Sequence, residues 1–199
     1  MRVAITGNIG SGKSYVCDLF KRRGIPVFDS DREAKSLYHL PEIRQRIIDR
    51  FGKESYHDDG SLNRGYMASR LFSDSCSLGF VESVLYPVLN ERFAVWADEQ
   101  SAPYVLYESA LIFEKHLESL FDAVIVVAAS EETRIRRVKL RDRCNEEQVR
   151  ARMAKQWPQS EKVTHADYVI VHECDDEDEY LIQQVDLVDR NLLSLRSFR

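Results

Sequence analysis

Short apolar runs alternate along the chain with stretches whose apolar residues recur every three or four positions, and this alternation sets out most of the elements. The run at residues 2–6, ended by Gly7, predicts a buried parallel strand. Val16, Leu19, Phe20 and Arg23 then repeat at helical spacing, and Gly24 supplies a stop, so a helix is expected from about Gly12. Residues 25–28 predict a second strand, closed by Asp29-Ser30-Asp31. Further strands are expected over 104–107, 123–127 and 168–171, with helices over 131–141 and 146–156. Leu181, Val185, Val188, Leu192 and Leu195 mark a final amphipathic helix. Strand alternating with helix implies an α/β fold, a parallel sheet covered on both faces.

Between the second and third strands the pattern turns mostly helical. Asp31 is placed to cap a helix over 32–40, and Pro41 suits the first turn of the next. That helix carries Ile43, Ile47, Ile48 and Phe51 and stops at Gly52. His57-Asp58-Asp59-Gly60 is a turn signal, followed by helical stretches at 63–72 and 78–96. A parallel crossover needs only one helix, so this stretch is an insertion of substrate-holding size. The expected organisation is one domain: a core of 1–30, 103–130 and 166–199, an acceptor-binding insertion at 31–102, and a lid at 131–165.

With 199 residues the chain suits a single domain, and 44% hydrophobic with 31% charged residues is ordinary for a soluble globular protein. A net charge of −5 makes nucleic acid an unexpected partner. None of the four cysteines lies in a C-x-x-C pair, and no His or Cys cluster has zinc-ligand spacing, so free thiols in a reducing cytosol are expected. The N-terminal apolar run is too short for a signal peptide, and no segment approaches about 18 apolar residues. A cytoplasmic protein without a membrane partner, monomeric or weakly self-associating, is the expectation.

The most specific chemistry lies at Gly7-Asn8-Ile9-Gly10-Ser11-Gly12-Lys13-Ser14, which satisfies G-x-x-x-x-G-K-[ST]. The glycines let the backbone turn sharply and bring N–H groups close to phosphate oxygens. The helix that follows points its positive dipole end at the same anion. Lys13 is expected to reach the β- and γ-phosphates of ATP, and Ser14 Oγ to ligate Mg²⁺. A strand before the motif and an amphipathic helix after it supply the required context.

A phosphate loop alone does not separate a kinase from a nucleotide switch. Asp29 and Asp31 stand at the carboxyl end of the second strand, where ligands of open α/β sheets collect, and a carboxylate there can take the proton of an attacking hydroxyl. Asp31 reads equally as a helix cap, and Asp29 as a strand-end turn residue. Glu108 ends the third strand and either reaches Mg²⁺ or its waters or is an ordinary strand-end acid. Arg134, Arg137 and Arg141 share one face of a basic helix suited to stabilising a transferring phosphoryl group; the alternative is a solvated charged helix. These features leave three readings: a small-molecule kinase with a large acceptor, a nucleoside monophosphate kinase or relative, and a non-catalytic switch. The absence of an Asn-Lys-x-Asp guanine motif weighs against the last.

From about Val3 to Val171 the sequence resembles the dephospho-coenzyme A kinase family. The resemblance is carried by the phosphate loop, by Asp29-Ser30-Asp31, by Phe51-Gly52 and Asp59-Gly60-Ser61-Leu62-Asn63-Arg64, and by Leu111-Ile112-Phe113-Glu114. It continues through Arg137 and Arg141-Asp142, Arg152 and Gln156, and Ala166-Asp167-Tyr168-Val169-Ile170. It implies a three-layer P-loop fold with a five-stranded parallel sheet, and transfer of the ATP γ-phosphate to the ribose 3′-hydroxyl of dephospho-coenzyme A. It implies Asp31 as catalytic base, with Lys13 and Arg141 as catalytic partners, and Arg137 and Arg141 in the lid. The nucleotide set then runs from Gly7 through Tyr15, and Asp31, Arg64 and Glu108 face the acceptor. The sequence departs from the family pattern at Tyr15 (usually Thr), Tyr86-Pro87 (often His-Pro), Ala110 (usually Pro) and His172-Glu173 (in place of Asn-x-Gly).

Overall fold

The computed structural model describes residues 1–173 and 179–196; Cys174 lies outside them. The described chain forms two compact units, Met1–Asp29 with Gln100–Arg199, and Ser30–Glu99.

The first unit is built on five parallel strands, β1 (Arg2–Thr6), β2 (Val27–Asp29), β3 (Val105–Glu108), β4 (Ala123–Ala128) and β5 (Tyr168–Val171), in the order β2-β3-β1-β4-β5. All four predicted strands after the first appear within one or two residues of their expected limits. Strand β1 is central: Val3 pairs with Leu106 of β3 and with Ala123 of β4. Alternate side chains point to opposite faces. Val3, Ile5, Leu106, Ile125, Val127 and Ile170 meet one face, where α1 (Lys13–Arg22) brings Val16, Leu19 and Phe20 and α9 (Glu179–Arg196) brings Leu181, Val185, Val188 and Leu192. All of these are buried, and burying each aliphatic side chain contributes about 1.5–3 kcal/mol. Ala4, Val124, Val126 and Tyr107 are equally buried on the other face, where α8 (Gln159–Thr164) packs on β4 and Phe121 meets the Tyr107 ring at 5.2 Å.

Polar side chains fix the strand ends. Asp122 Oδ2 accepts from the Arg2 amide at 2.8 Å. Asp167 Oδ2 accepts from the Val124 amide at 2.8 Å while its own amide donates to Val124 O. The Asp of the Ala-Asp-Tyr-Val-Ile motif is thus the clamp that starts β5. Tyr104, buried just before β3, donates its hydroxyl to Asp189 of α9 at 2.5 Å.

After β4 come α6 (Glu131–Asp142) and α7 (Glu146–Met153). Ser130 caps α6 by accepting from the Thr133 amide. Asn145 and Gln148 form a reciprocal capping box on α7. The single helix expected at 146–156 ends earlier, and α8 follows Pro158, which begins a new turn more readily than it continues an old one.

The second unit holds α2 (Ser30–Leu37), α3 (Pro41–Phe51), α4 (Arg64–Ser73) and α5 (Ser75–Asp98). Helix α2 starts at Ser30, so Asp31 sits in its first turn and is not its cap. Helix α5 is longer than expected, because Asp74 caps it through the Cys76 amide and Pro87 is accommodated inside it. Leu37, Ile43, Ile47, Met67, Val81, Val84, Leu89 and Phe93 form the unit's buried apolar interior. Two tyrosines tie its turns: Tyr56 donates to Tyr38 O at 2.8 Å and Tyr66 to Phe51 O at 2.7 Å. Burial pushes the Tyr56 hydroxyl up to about 12.

Tyr104→Phe removes the hydroxyl that joins β3 to α9 and leaves Asp189 without its donor. It is expected to lower stability by about 1.5 kcal/mol or more, read as a melting point roughly 3–6 °C lower.

Candidate nucleotide site

The phosphate loop runs from the carboxyl end of β1 into α1, and its shape requires two of its glycines. Gly10 has φ +82° and Gly12 φ +89°, where side chains are strained. There is also no room: a Cβ on Gly10 meets Arg134 O at 2.5 Å, and one on Gly12 meets His172 Nδ1 at 2.1 Å. Gly12 is the left-handed residue from which α1 springs. The loop closes on itself through the Ser11 amide, which donates to Asn8 O at 3.0 Å. Lys13 Nζ donates to Gly7 O at 3.2 Å, so the lysine arches back over the loop. Ser11 Oγ is buried and has no hydrogen-bond partner among the described residues.

A pocket of about 600 Å³ opens beside the loop, lined by Gly10, Gly12, Lys13, Ser14, Tyr15, Arg137, Val138, Leu140 and Arg141. It brings together most of the residues expected to hold ATP. Tyr15 stacks on His172, with ring centroids 5.2 Å apart and 23° between planes. Arg137 Nη1 donates to His172 O at 2.9 Å and, at 3.4 Å, to Gly10 O and Ser11 O.

The three arginines of one helical face meet three environments. Arg134 is buried and donates to Ala129 O at 3.2 Å; burial lowers its pKa from the usual value. Arg137 is half-buried against the loop. Arg141 is exposed at the pocket rim and paired with Asp142 at 2.8 Å, and Asp142 also receives Arg152 at 2.6 Å.

Two carboxylates stand together on the sheet's carboxyl edge. Asp29 is in register with Glu108, and Glu108 with Ile5, the residue before Thr6-Gly7. Both are partly exposed. In the second unit, Asp31 is exposed in the first turn of α2. Arg64 is the exposed first residue of α4. Its motif has a local physical basis. Asp59 Oδ1 accepts from the Ser61 amide and hydroxyl, and Asn63 caps α4 through the Tyr66 amide. The hydrogen bond from the Ser61 hydroxyl holds the Asp59 carboxyl below its usual range.

Sequence reasoning missed the props behind the loop. Asn8 Nδ2 donates to Trp157 O at 2.8 Å, and the Ile9 amide donates to Gln156 Oε1 at 2.8 Å. Gln156 was visible as part of a motif, but one prop uses a tryptophan carbonyl, which no side-chain pattern reveals. The His172 stack was equally hidden, since a lone histidine after a strand carries no spacing signal.

The family model for dephospho-CoA kinase matches residues 1–178. A dephospho-CoA kinase of Syntrophotalea carbinolica is 38% identical over 174 residues, covering 84% of this chain and 82% of that protein. A crystal structure from Thermus thermophilus is similar with a TM-score of 0.83 and 31% identity, covering 98% of this chain and 96% of that one. The dephospho-CoA kinase of Campylobacter jejuni has the same fold, with a TM-score of 0.69 at 20% identity and 97% coverage of both chains. The chain belongs to the dephospho-CoA kinase family of phosphotransferases.

Gly12→Ala is expected to abolish nucleotide binding in a protein that still folds, because the Cβ meets the His172 ring at a strained φ. Calorimetric titration with ADP, alongside a circular-dichroism melt, checks this.

Proposed function

We propose that this member of the dephospho-CoA kinase family phosphorylates the ribose 3′-hydroxyl of dephospho-coenzyme A with ATP, releasing coenzyme A and ADP, with Asp31 as the base. The observation that carries the donor half is the pocket beside the loop, where Gly10, Gly12, Lys13 and Ser14 share one wall at the start of α1. The β- and γ-phosphates fit there, against the start of α1 and its dipole. Lys13 releases the Gly7 carbonyl to pair with phosphate oxygens. Arg137 and Arg141, which line the same pocket, neutralise charge on the transferring group.

A divalent cation suits the same place. Among the described residues no cluster of three or more His, Cys, Asp and Glu side chains can hold a metal alone. Mg²⁺ does not need one, because it binds through one or two protein oxygens plus phosphates and waters. Ser14 Oγ would supply one oxygen, and Glu108, with Asp29 beside it in register, would order the waters. The cation would draw charge off the β- and γ-phosphates.

Asp31 follows the strand-end Asp29 by two peptide steps and lies exposed in the first turn of α2, not at its cap. That leaves its carboxylate available to accept the 3′-hydroxyl proton. Arg64, held at the head of α4 by the Asp59 turn and the Asn63 cap, supplies a cation for the acceptor's phosphates. No described helix is long and apolar enough to cross a membrane. Cys17, Cys76 and Cys144 are free thiols, which suits a reducing compartment and a cytoplasmic enzyme.

With Mg²⁺-ATP and dephospho-coenzyme A, Asp31→Asn is expected to cut kcat by about 10²–10⁴-fold, the usual weight of a general base, with ADP affinity unchanged. Near-normal turnover would remove Asp31 as the base. A panel of acceptors compared by kcat/KM tests the substrate, and a preference for nucleoside monophosphates would overturn it.

A further inference from the structure

Beneath the phosphate loop lies a buried ion pair that the transfer reaction does not use. Lys162, on α8, is fully buried. Its Nζ lies 2.7 Å from Glu114 Oε1 and donates to Ala110 O at 2.9 Å. Burial pushes the lysine's pKa down and the bond to Glu114 pushes it back up. Glu114 is itself only 10% exposed, and its Oε2 has no hydrogen-bond partner among the described residues. The carboxylate therefore works through Oε1 alone.

That one oxygen also accepts from the Trp157 amide at 2.9 Å. Trp157 is then fixed from two sides, since its carbonyl takes the Asn8 side chain. Its neighbour Gln156 takes the Ile9 amide. A continuous run of short bonds thus leads from Lys162 through Glu114 and Trp157 to the first half of the phosphate loop. Taking two charges out of water is expensive, and a pair of apolar side chains in the same volume would often cost less. Apolar side chains cannot, however, hold a backbone amide at one point. The pair's value lies in where it puts residues 156–157.

We propose that Glu114 and Lys162 are positioning residues for the nucleotide: the pair fixes Gln156 and Trp157, these hold Asn8 and Ile9, and ATP affinity depends on an ion pair that touches no substrate. This rests on the reading of the loop as the ATP site. Neither residue is among those assigned above to the acceptor, so their effect is expected on the donor side.

Two double variants separate positioning from packing, and both avoid a lone buried charge, the change most apt to prevent folding. Glu114→Gln with Lys162→Met removes both charges but keeps a carbonyl oxygen for the Trp157 amide. Glu114→Met with Lys162→Met removes the acceptor as well. In the second, KM for ATP is expected to rise about tenfold, the worth of one well-made hydrogen bond to a charged group, with KM for dephospho-coenzyme A within about twofold of the parent. The Ile9 amide should exchange with solvent about tenfold faster in the same protein. In the first, both readouts should return to within about threefold of the parent, because the acceptor is restored. An unchanged ATP KM in the second variant, equal losses in both, or a parallel rise in the two KM values overturns the proposal. If the unaltered protein transfers no phosphate to dephospho-coenzyme A, the kinase reading fails separately. ADP binding by calorimetry and Ile9 exchange then still decide whether the pair positions the loop.

Discussion

A loop that binds phosphate must keep a set of backbone N–H groups aimed at one point and leave them unsatisfied by the protein. Buried amides without acceptors are costly, and amides that find acceptors no longer bind the anion. The rest of the nucleotide unit answers this conflict from the far side of the loop. Asn8 and Ile9 are gripped at residues 156–157, Arg137 holds the carbonyls of Gly10 and Ser11, and His172 and Arg134 fill the space a larger residue would need at Gly12 and Gly10. The loop is thus braced through the Asn8 side chain, the Ile9 amide and the carbonyls of Gly10 and Ser11.

The sheet supplies the second condition, a fixed place for opposite chemistries. Parallel strands all end on the same edge, so β1, β2 and β3 deliver the phosphate loop, Asp29 and Glu108 side by side. Cations and the helix dipole collect on the α1 and α6 side, carboxylates on the β2 and β3 side. Phosphoryl transfer needs this division, with positive charge over the migrating group and a proton acceptor beside the nucleophile.

Much of this was legible in the sequence, for reasons that differ by element. Strands appeared as apolar runs because both sheet faces are covered, and the loop appeared because its glycines and Lys13 are required locally. Helix boundaries were less exact where a capping side chain decided them, as with Asp74 at α5 and Pro158 before α8. Asp31 was misplaced by one residue as a cap because Ser30 already adopts helical geometry. The props were illegible because Asn8 and Trp157, or Ile9 and Gln156, are almost 150 residues apart, and their bonds use a carbonyl and an amide that every residue possesses. The arginine face was read correctly as a face, but burial divided it into a packed Arg134, a loop-bound Arg137 and a rim Arg141.

The central position of β1 has a further consequence, for the order in which the chain is made. Residues 2–6 leave the ribosome well before their neighbours in the sheet, residues 105–108 and 123–126. Until residues 105–108 have been synthesised, the strand that ends in the phosphate loop has no partner on either side and its apolar side chains have no cover. Closing loops of this length is slow, and unpaired apolar strands are the species that aggregate. The four-helix unit at Ser30–Glu99 is complete before either neighbour exists, and its contacts are local. Translation therefore favours an order in which the helical unit folds early and the catalytic sheet assembles late around its oldest segment, so that a nascent chain is exposed to chaperones and proteases through its future active site.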